Sequence, residues 1–257
     1  MKAKFLVSTT VIGLSLFSAA QQKGDPKETE VWSPEPKIVT PGDTPSDAPS
    51  DAIILFDGKN LDQWSLTDDL TKPAGWTVNG DGSMTVKKGT GTIQTKKSFM
   101  DYQMHIEYKI PENITGSGQA RGNSGIFLAT AGKGDDGYEL QVLDNYNNKT
   151  YVNGQVGSMY KQSIPLANAC KKPGEWQRYD IIWTAPRFND DGSVKSPGRV
   201  TAFHNGVLVQ NNYELKGNTP YIGKPEYKKH GASPIKLQDH GDPSPAISYR
   251  NIWLREL

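Results

Sequence analysis

The chain has 257 residues, enough for one large β domain or two small ones. Its 29 basic and 28 acidic side chains leave a net charge of +1, which excludes the basic footprint of a nucleic-acid binder. Apolar residues make up 35%, a modest share that a polar N-terminal stretch helps to explain, and the single cysteine, Cys170, rules out an internal disulfide or a thiolate metal site.

The start reads as a secretory signal. Lys2 and Lys4 supply positive charge, and Phe5 to Phe17 form a mostly apolar run too short to span a bilayer. Ser18 and Ala20 are small residues at signal-peptidase spacing, so residues 1–20 are predicted to be a signal peptide. Export to the periplasm or the medium follows. Residues 21–50 hold many Pro, Asp, Ser, Thr, Lys and Glu and few aliphatics. Such a stretch buries too little apolar surface to offset its ordering entropy and is predicted to be a disordered tether. The folded domain is predicted over residues 51–257.

The domain opens on the apolar run Ile53 to Phe56, closed by the turn signal Asp57-Gly58. Trp64 and Trp76 follow, as core packing or as sugar-stacking rings. Short strands are predicted at Met84 to Val86 and Thr92 to Thr95. Tyr102 to Ile110 alternates without a break: Tyr102, Met104, Ile106, Tyr108 and Ile110 face inward, and Gln103, His105, Glu107 and Lys109 face out. Pro111 ends that strand. A glycine-rich loop, Gly116 to Gly122, precedes Ile126 and Leu128, which share a core parity, while Arg121 and Asn123 share the other. No helix follows the loop, so it is no phosphate cradle.

Tyr138 to Asp144 is the most informative stretch. Tyr138, Leu140 and Val142 belong in a core, and Glu139 and Gln141 lie together on the opposite face. Asp144 joins that face only if the strand bulges. Beyond it lie a turn-rich loop, the lone Lys161, and a strand at Trp176 to Thr184. Asn205-Gly206 marks a hairpin between Arg199 to His204 and Val207 to Gln210. His204 shares parity with Val200 and Ala202 and is expected to be structural. Ile235 to His240 repeats the alternation, with Lys236, Gln238 and His240 on one face, and Ile247 to Leu254 closes the chain. Many short strands, Gly and Asn turns and no long helix predict an all-β sandwich or barrel.

Seven motifs occur in order: Gly122-Asn123-Ser124-Gly125-Ile126, Tyr138 to Asp144, Gly157-Ser158-Met159-Tyr160, Gly174-Glu175-Trp176, Asn205-Gly206, Leu237 to Gly241, and Tyr249-Arg250-Asn251-Ile252. Together they resemble the 3-keto-disaccharide hydrolase domain family from about residue 52 onward. The resemblance implies a concanavalin A-like jelly roll of two antiparallel sheets, and hydrolysis of glycosides whose sugar carries a ketone at C3.

Such a ketone acidifies the C2 hydrogen, so a base, a stabiliser for the enolate oxygen and an acid for the leaving group suffice. Glu139 is the expected base. His240 is a second base or the acid, since an imidazole titrates near neutral pH. Lys161 and Arg121 are candidates to hold the enolate oxygen. Gln141, Gln238, Asn123 and Glu107 are expected to orient hydroxyls. Asp144 serves as an acid or metal ligand if the bulge exists, and Arg250 supports the site or pairs with a carboxylate. Glu139, Gln141 and Asp144 keep the i, i+2, i+5 spacing of laminarinase-like glucanases, but the central amide counts against a two-carboxylate mechanism. A glucanase and a non-catalytic carbohydrate-binding module remain the alternatives. The expected partner is a glycoside or oligosaccharide. No organic cofactor is expected, and oxygen ligands for a structural divalent cation are plentiful without any ordered loop that selects one.

Overall fold

A computed structural model describes residues 24–130, 132 and 134–257. The signal-peptide region lies outside them. The chain divides into two compact units, Met1–Ile38 and Val39–Leu257. In the first, the described residues hold one 3₁₀ turn, Pro26–Thr29, whose Lys27 amide is capped by the Asp25 side chain.

The second unit begins twelve positions before the predicted domain, and its leading segment is tied down. Ser46 accepts hydrogen bonds at its carbonyl from Asn251 Nδ2 (2.8 Å) and Trp253 Nε1 (3.0 Å), and Asp51 pairs with Arg255 at 2.9 Å. Residues 39–50 therefore belong with the folded unit rather than with a tether.

Among the described residues, fifteen strands follow. They are β1 (Ile53–Phe56), β2 (Trp64–Leu66), β3 (Thr77–Val78), β4 (Met84–Thr85), β5 (Ile93–Thr95), β6 (Tyr102–Lys109), β7 (Ser124–Thr130) and β8 (Gly137–Val142). Then come β9 (Trp176–Thr184), β10 (Arg187–Phe188), β11 (Val194–Ser196), β12 (Arg199–His204), β13 (Val207–Glu214), β14 (Lys236–Leu237) and β15 (Ser248–Glu256). The large sheet runs β13-β12-β9-β6-β15-β4-β3, with β1 also on β15, and the small sheet runs β2-β5-β14-β7-β8. Strands β10 and β11 form a separate ribbon. All registered pairs are antiparallel, and the architecture is the expected all-β sandwich.

Alternation builds the core. Tyr102, Met104, Ile106 and Tyr108 of β6 and Tyr138, Leu140 and Val142 of β8 are all fully buried. Tyrosine hydroxyls tie the sheets together: Tyr102 donates to the Leu128 carbonyl, Tyr179 to the Gln141 carbonyl and Tyr249 to Ser124 Oγ. Each ring thus buries its apolar body while its hydroxyl finds a partner in the facing sheet. Trp64 and Trp76 are also core: Trp64 Nε1 donates to the Leu55 carbonyl, and Trp76 stacks on Tyr249 at 5.8 Å. His204 is buried against Tyr108 and Tyr179, as its parity predicts.

Candidate active site

The face of the small sheet turned away from the core is floored by Glu139 and Gln141 of β8, the edge strand. Strand β7 lies beside it, pairing Gly125 with Gln141 and Phe127 with Glu139. Gln238 and His240 follow β14, the next strand in, and Gln238 N donates to the Gly125 carbonyl. Loops around residues 119–123, 151–161 and 219–221 wall this floor into a cleft of about 660 Å³. Strands β14 and β8 lie about 10 Å apart across β7.

Of the ten residues expected from sequence to form the site, six line this cleft: Glu139, Gln141, Lys161, Asn123, Gln238 and His240. Four do not. Asp144 is fully buried at the end of β8, where Arg121 Nε donates to its Oδ2 at 2.6 Å and the Tyr146 amide to its Oδ1. No bulge turns it outward; the register irregularity in the β7–β8 pair lies between Phe127 and Thr130 instead. Arg121 opens onto a different depression, shared with Glu112, Tyr146 and Lys172. Glu107 and Arg250 belong to the large sheet and pair with each other at 2.6 Å, with Arg250 packed 4.1 Å from the Trp176 ring centroid. Parity placed Glu107 on an outer face and, without a bulge, Asp144 on the inner one, as found. The four differ because a sandwich has two outer faces, and because Asp144 lies past the end of its ladder.

Glu139 is 6% exposed. Its carboxyl folds across Gly125, so close that a Cβ there would stand 2.5 Å from Oε1. Burial, assisted by the neighbouring charge of Asp135, pushes its pKa up to about 8. The carboxyl is therefore largely protonated at neutral pH. Its backbone is fixed on both sides: Glu139 N donates to Thr219 Oγ1, and Tyr160 N donates to the Glu139 carbonyl.

His240 is held differently. Its Nδ1 lies 2.9 Å from Asp242 Oδ2, and Asn123 Nδ2 lies 3.3 Å from its Nε2. Burial opposes ionisation of Asp242, but hydrogen bonds from His240 and Ser244 and the charge of Lys88 bring its pKa down to about 2. An ionised Asp242 keeps the proton on Nδ1 and leaves the Nε2 lone pair toward Asn123 and the cleft.

Between these two groups lies an amide floor. Asn123 Oδ1, Gln141 Oε1 and Gln238 Oε1 are buried without a hydrogen-bond partner among the described residues. Their nitrogens are engaged: Asn123 Nδ2 with the Gln119 carbonyl, Gln141 Nε2 with Gln119 Oε1, and Gln238 Nε2 with Asp135 Oδ2. Three orphaned acceptors in one cleft suit a ligand rich in hydroxyl donors.

The remaining wall is aromatic. Tyr151 and Tyr160 share a 2.7 Å hydroxyl contact, and the Lys161 ammonium stands 4.2 Å from the Tyr221 ring centroid and donates to the Tyr221 carbonyl. Lys161 itself sits at φ +58°, a left-handed conformation costly for a side-chain-bearing residue and common at functional sites. Gln119, Asp135, Tyr151, Tyr160, Tyr221 and Asp242 all line the cleft, and sequence reasoning did not single them out. His240-x-Asp242 was the one local signal available, an imidazole two residues from a carboxylate in a glycine-containing loop. The tyrosines lie on irregular loops with no periodicity to reveal which way they face.

A β-sandwich with an acid, an oriented imidazole and an amide floor on one outer face defines a carbohydrate-active protein. Residues 51–255 match the family described as 3-keto-alpha-glucoside-1,2-lyase-like domain, and the chain belongs to that family. A crystal structure of a proposed glycosyl hydrolase from Parabacteroides distasonis is 56% identical, with a TM-score of 0.84, covering 91% of this chain and 97% of that one. A second such protein from the same organism is 21% identical with a TM-score of 0.59, covering 80% and 94%, and shares the fold. No curated protein matches the sequence.

Proposed function

We propose that the cleft cleaves glycosides carrying a ketone at C3, by elimination across C1 and C2 followed by hydration. The observation that carries this reading is the pairing of two groups in one cleft: Glu139 held neutral by burial, and His240 oriented by an ionised Asp242. A carboxyl held protonated and an imidazole whose Nε2 faces the cleft suit the acid and base roles of one reaction.

His240 Nε2 takes the C2 proton, and the electron pair becomes the enolate conjugated with the C3 oxygen. The enolate then expels the C1 oxygen, which takes the proton of Glu139 and departs as an alcohol. Water adds to C1 of the resulting enone while a proton returns to C2, so the sum is hydrolysis. Lys161, the ammonium lining the cleft, supplies positive charge against the developing enolate. The amide oxygens of Asn123, Gln141 and Gln238 accept from sugar hydroxyls. This reading exchanges the role expected of Glu139: a carboxyl buried beside Asp135 is suited to giving a proton rather than taking one.

The amide at Gln141 and the burial of Asp144 also leave the cleft without a carboxylate at either position that follows Glu139 in a laminarinase-like ladder. Purified protein, incubated with a 3-keto glucoside, a plain β-glucan and buffer alone, separates the readings. Aglycone release confined to the keto sugar supports this one. Cleavage of glucan overturns it in favour of a glycosidase, and binding without turnover overturns it in favour of a binding module.

A further inference from the structure

The tyrosine wall begins at the proposed acid. Tyr160 N donates to the Glu139 carbonyl at 3.0 Å, and burial raises the Tyr160 and Tyr151 hydroxyls, with Glu139 close enough to add to it when ionised. From there the wall runs outward with rising exposure: Tyr160 is 8% exposed, Tyr151 41% and Tyr221 72%. Val152 and Ile222, each next to a wall tyrosine in the chain, are exposed as well. Large apolar side chains left in water beside a cleft mark a surface that binds something.

Much of the polar inventory of this wall has partners within the protein, leaving the Tyr221 hydroxyl and two of the three Lys161 ammonium protons without one among the described residues. The Tyr151 and Tyr160 hydroxyls meet each other, Thr219 Oγ1 serves Glu139 N and the Gly137 carbonyl, and Lys161 Nζ donates to the Tyr221 carbonyl. The orphaned acceptors all belong to the amide floor, on Asn123, Gln141 and Gln238. One part of the cleft is thus built for hydroxyls and another for a ring face.

Resting on the elimination reading, the proton donor fixes which part is which. The leaving oxygen sits against Glu139, and the tyrosines flanking the Glu139 backbone are the apolar wall within reach of the aglycone. We infer that the aglycone subsite, walled by Tyr151, Tyr160 and Tyr221, selects a planar apolar group, and that the substrates are glucosides of aromatic alcohols or phenols rather than of a second sugar. A second sugar would bring many hydroxyl groups to a wall that is mostly ring face and offers them few free polar atoms. An aromatic ring would stack on Tyr221, gaining a ring-pair contact beyond the area it buries.

The test compares the 2-phenylethyl and ethyl 3-keto-glucosides, whose leaving alcohols are both simple alkanols, together with a 3-keto disaccharide. The wild-type protein is expected to favour the phenylethyl substrate by about tenfold in kcat/KM. Tyr221→Ala is expected to bring the ratio near one, and Tyr221→Phe to restore it. Equal rates in the wild-type protein, a preference for the disaccharide, or a ratio unmoved in Tyr221→Ala would overturn the inference. If no keto substrate turns over, the elimination reading fails by itself. Calorimetric binding of unoxidised 2-phenylethyl and ethyl glucosides still decides the subsite: tighter phenylethyl binding that is lost in Tyr221→Ala supports it, and equal binding sinks it.

Discussion

The carboxyl of Glu139 lies across Gly125 on the neighbouring strand, where a Cβ would come within 2.5 Å of Oε1. A glycine on β7 thus makes the room in which the acid of β8 sits. Gly125→Ala is expected to leave the fold intact, because a side-chain end can move aside, while displacing the proton donor. Turnover of a 3-keto glucoside should fall about a hundredfold, the scale of a misplacement near 1 Å. Steady-state kinetics beside thermal unfolding checks this; an unchanged kcat would show that the position of Glu139 does not matter.

Asp242 is expected to act through His240. Asp242→Asn removes the fixed negative charge that keeps the proton on Nδ1. The rate should drop by about 10²-fold or more, within the usual range for losing a positioned acid–base group. The loss should fall on kcat more than on KM, since the amide floor remains. A rise in KM alone would reassign Asp242 to substrate binding.

On the opposite sheet, Glu107 should matter to stability and not to turnover. Burial opposes its ionisation, but hydrogen bonds from His105, Asn251 and Arg250 bring its pKa down to about 2. A lowered folded pKa gives stabilisation that is fully present above the unfolded value, near 4.5, and is lost as pH falls through about 2. Glu107→Gln should therefore cost about 1–3 kcal/mol at pH 7, the scale for hydrogen bonds to a charged group. The cost should shrink as pH falls below 4. Urea unfolding at pH 7 and near pH 2.5 reads the difference, and a large loss of activity at unchanged stability would contradict this placement.

Period-two alternation made the floor of the cleft legible, because Tyr138, Leu140 and Val142 could share a core only if Glu139 and Gln141 faced away from it. The same pattern located Gln238 and His240. It could not say which of the two outer faces Glu107 shared, since parity separates inside from outside and not one sheet from the other. Sheet order settles that, and β6 joins β15 and β9, not β8. Asp144 was read from a spacing that required a bulge, and the ladder simply stops at Val142, leaving its carboxylate to Arg121. The protonation state of Glu139 was out of reach as well, because it depends on burial under loops far away in the chain and on Asp135.

The most direct measurement is the pH dependence of kcat/KM on a 3-keto glucoside for the wild-type protein and for Glu139→Gln. With the carboxyl raised to about 8, the wild-type rate should fall as pH rises through that value and the proton is lost. The variant should lack that fall and should be slowed most with poor leaving groups, which need the proton most. A wild-type rate that instead rises through pH 8, or a variant that keeps both the full rate and the same falling limb, would contradict the assignment of Glu139 as the acid.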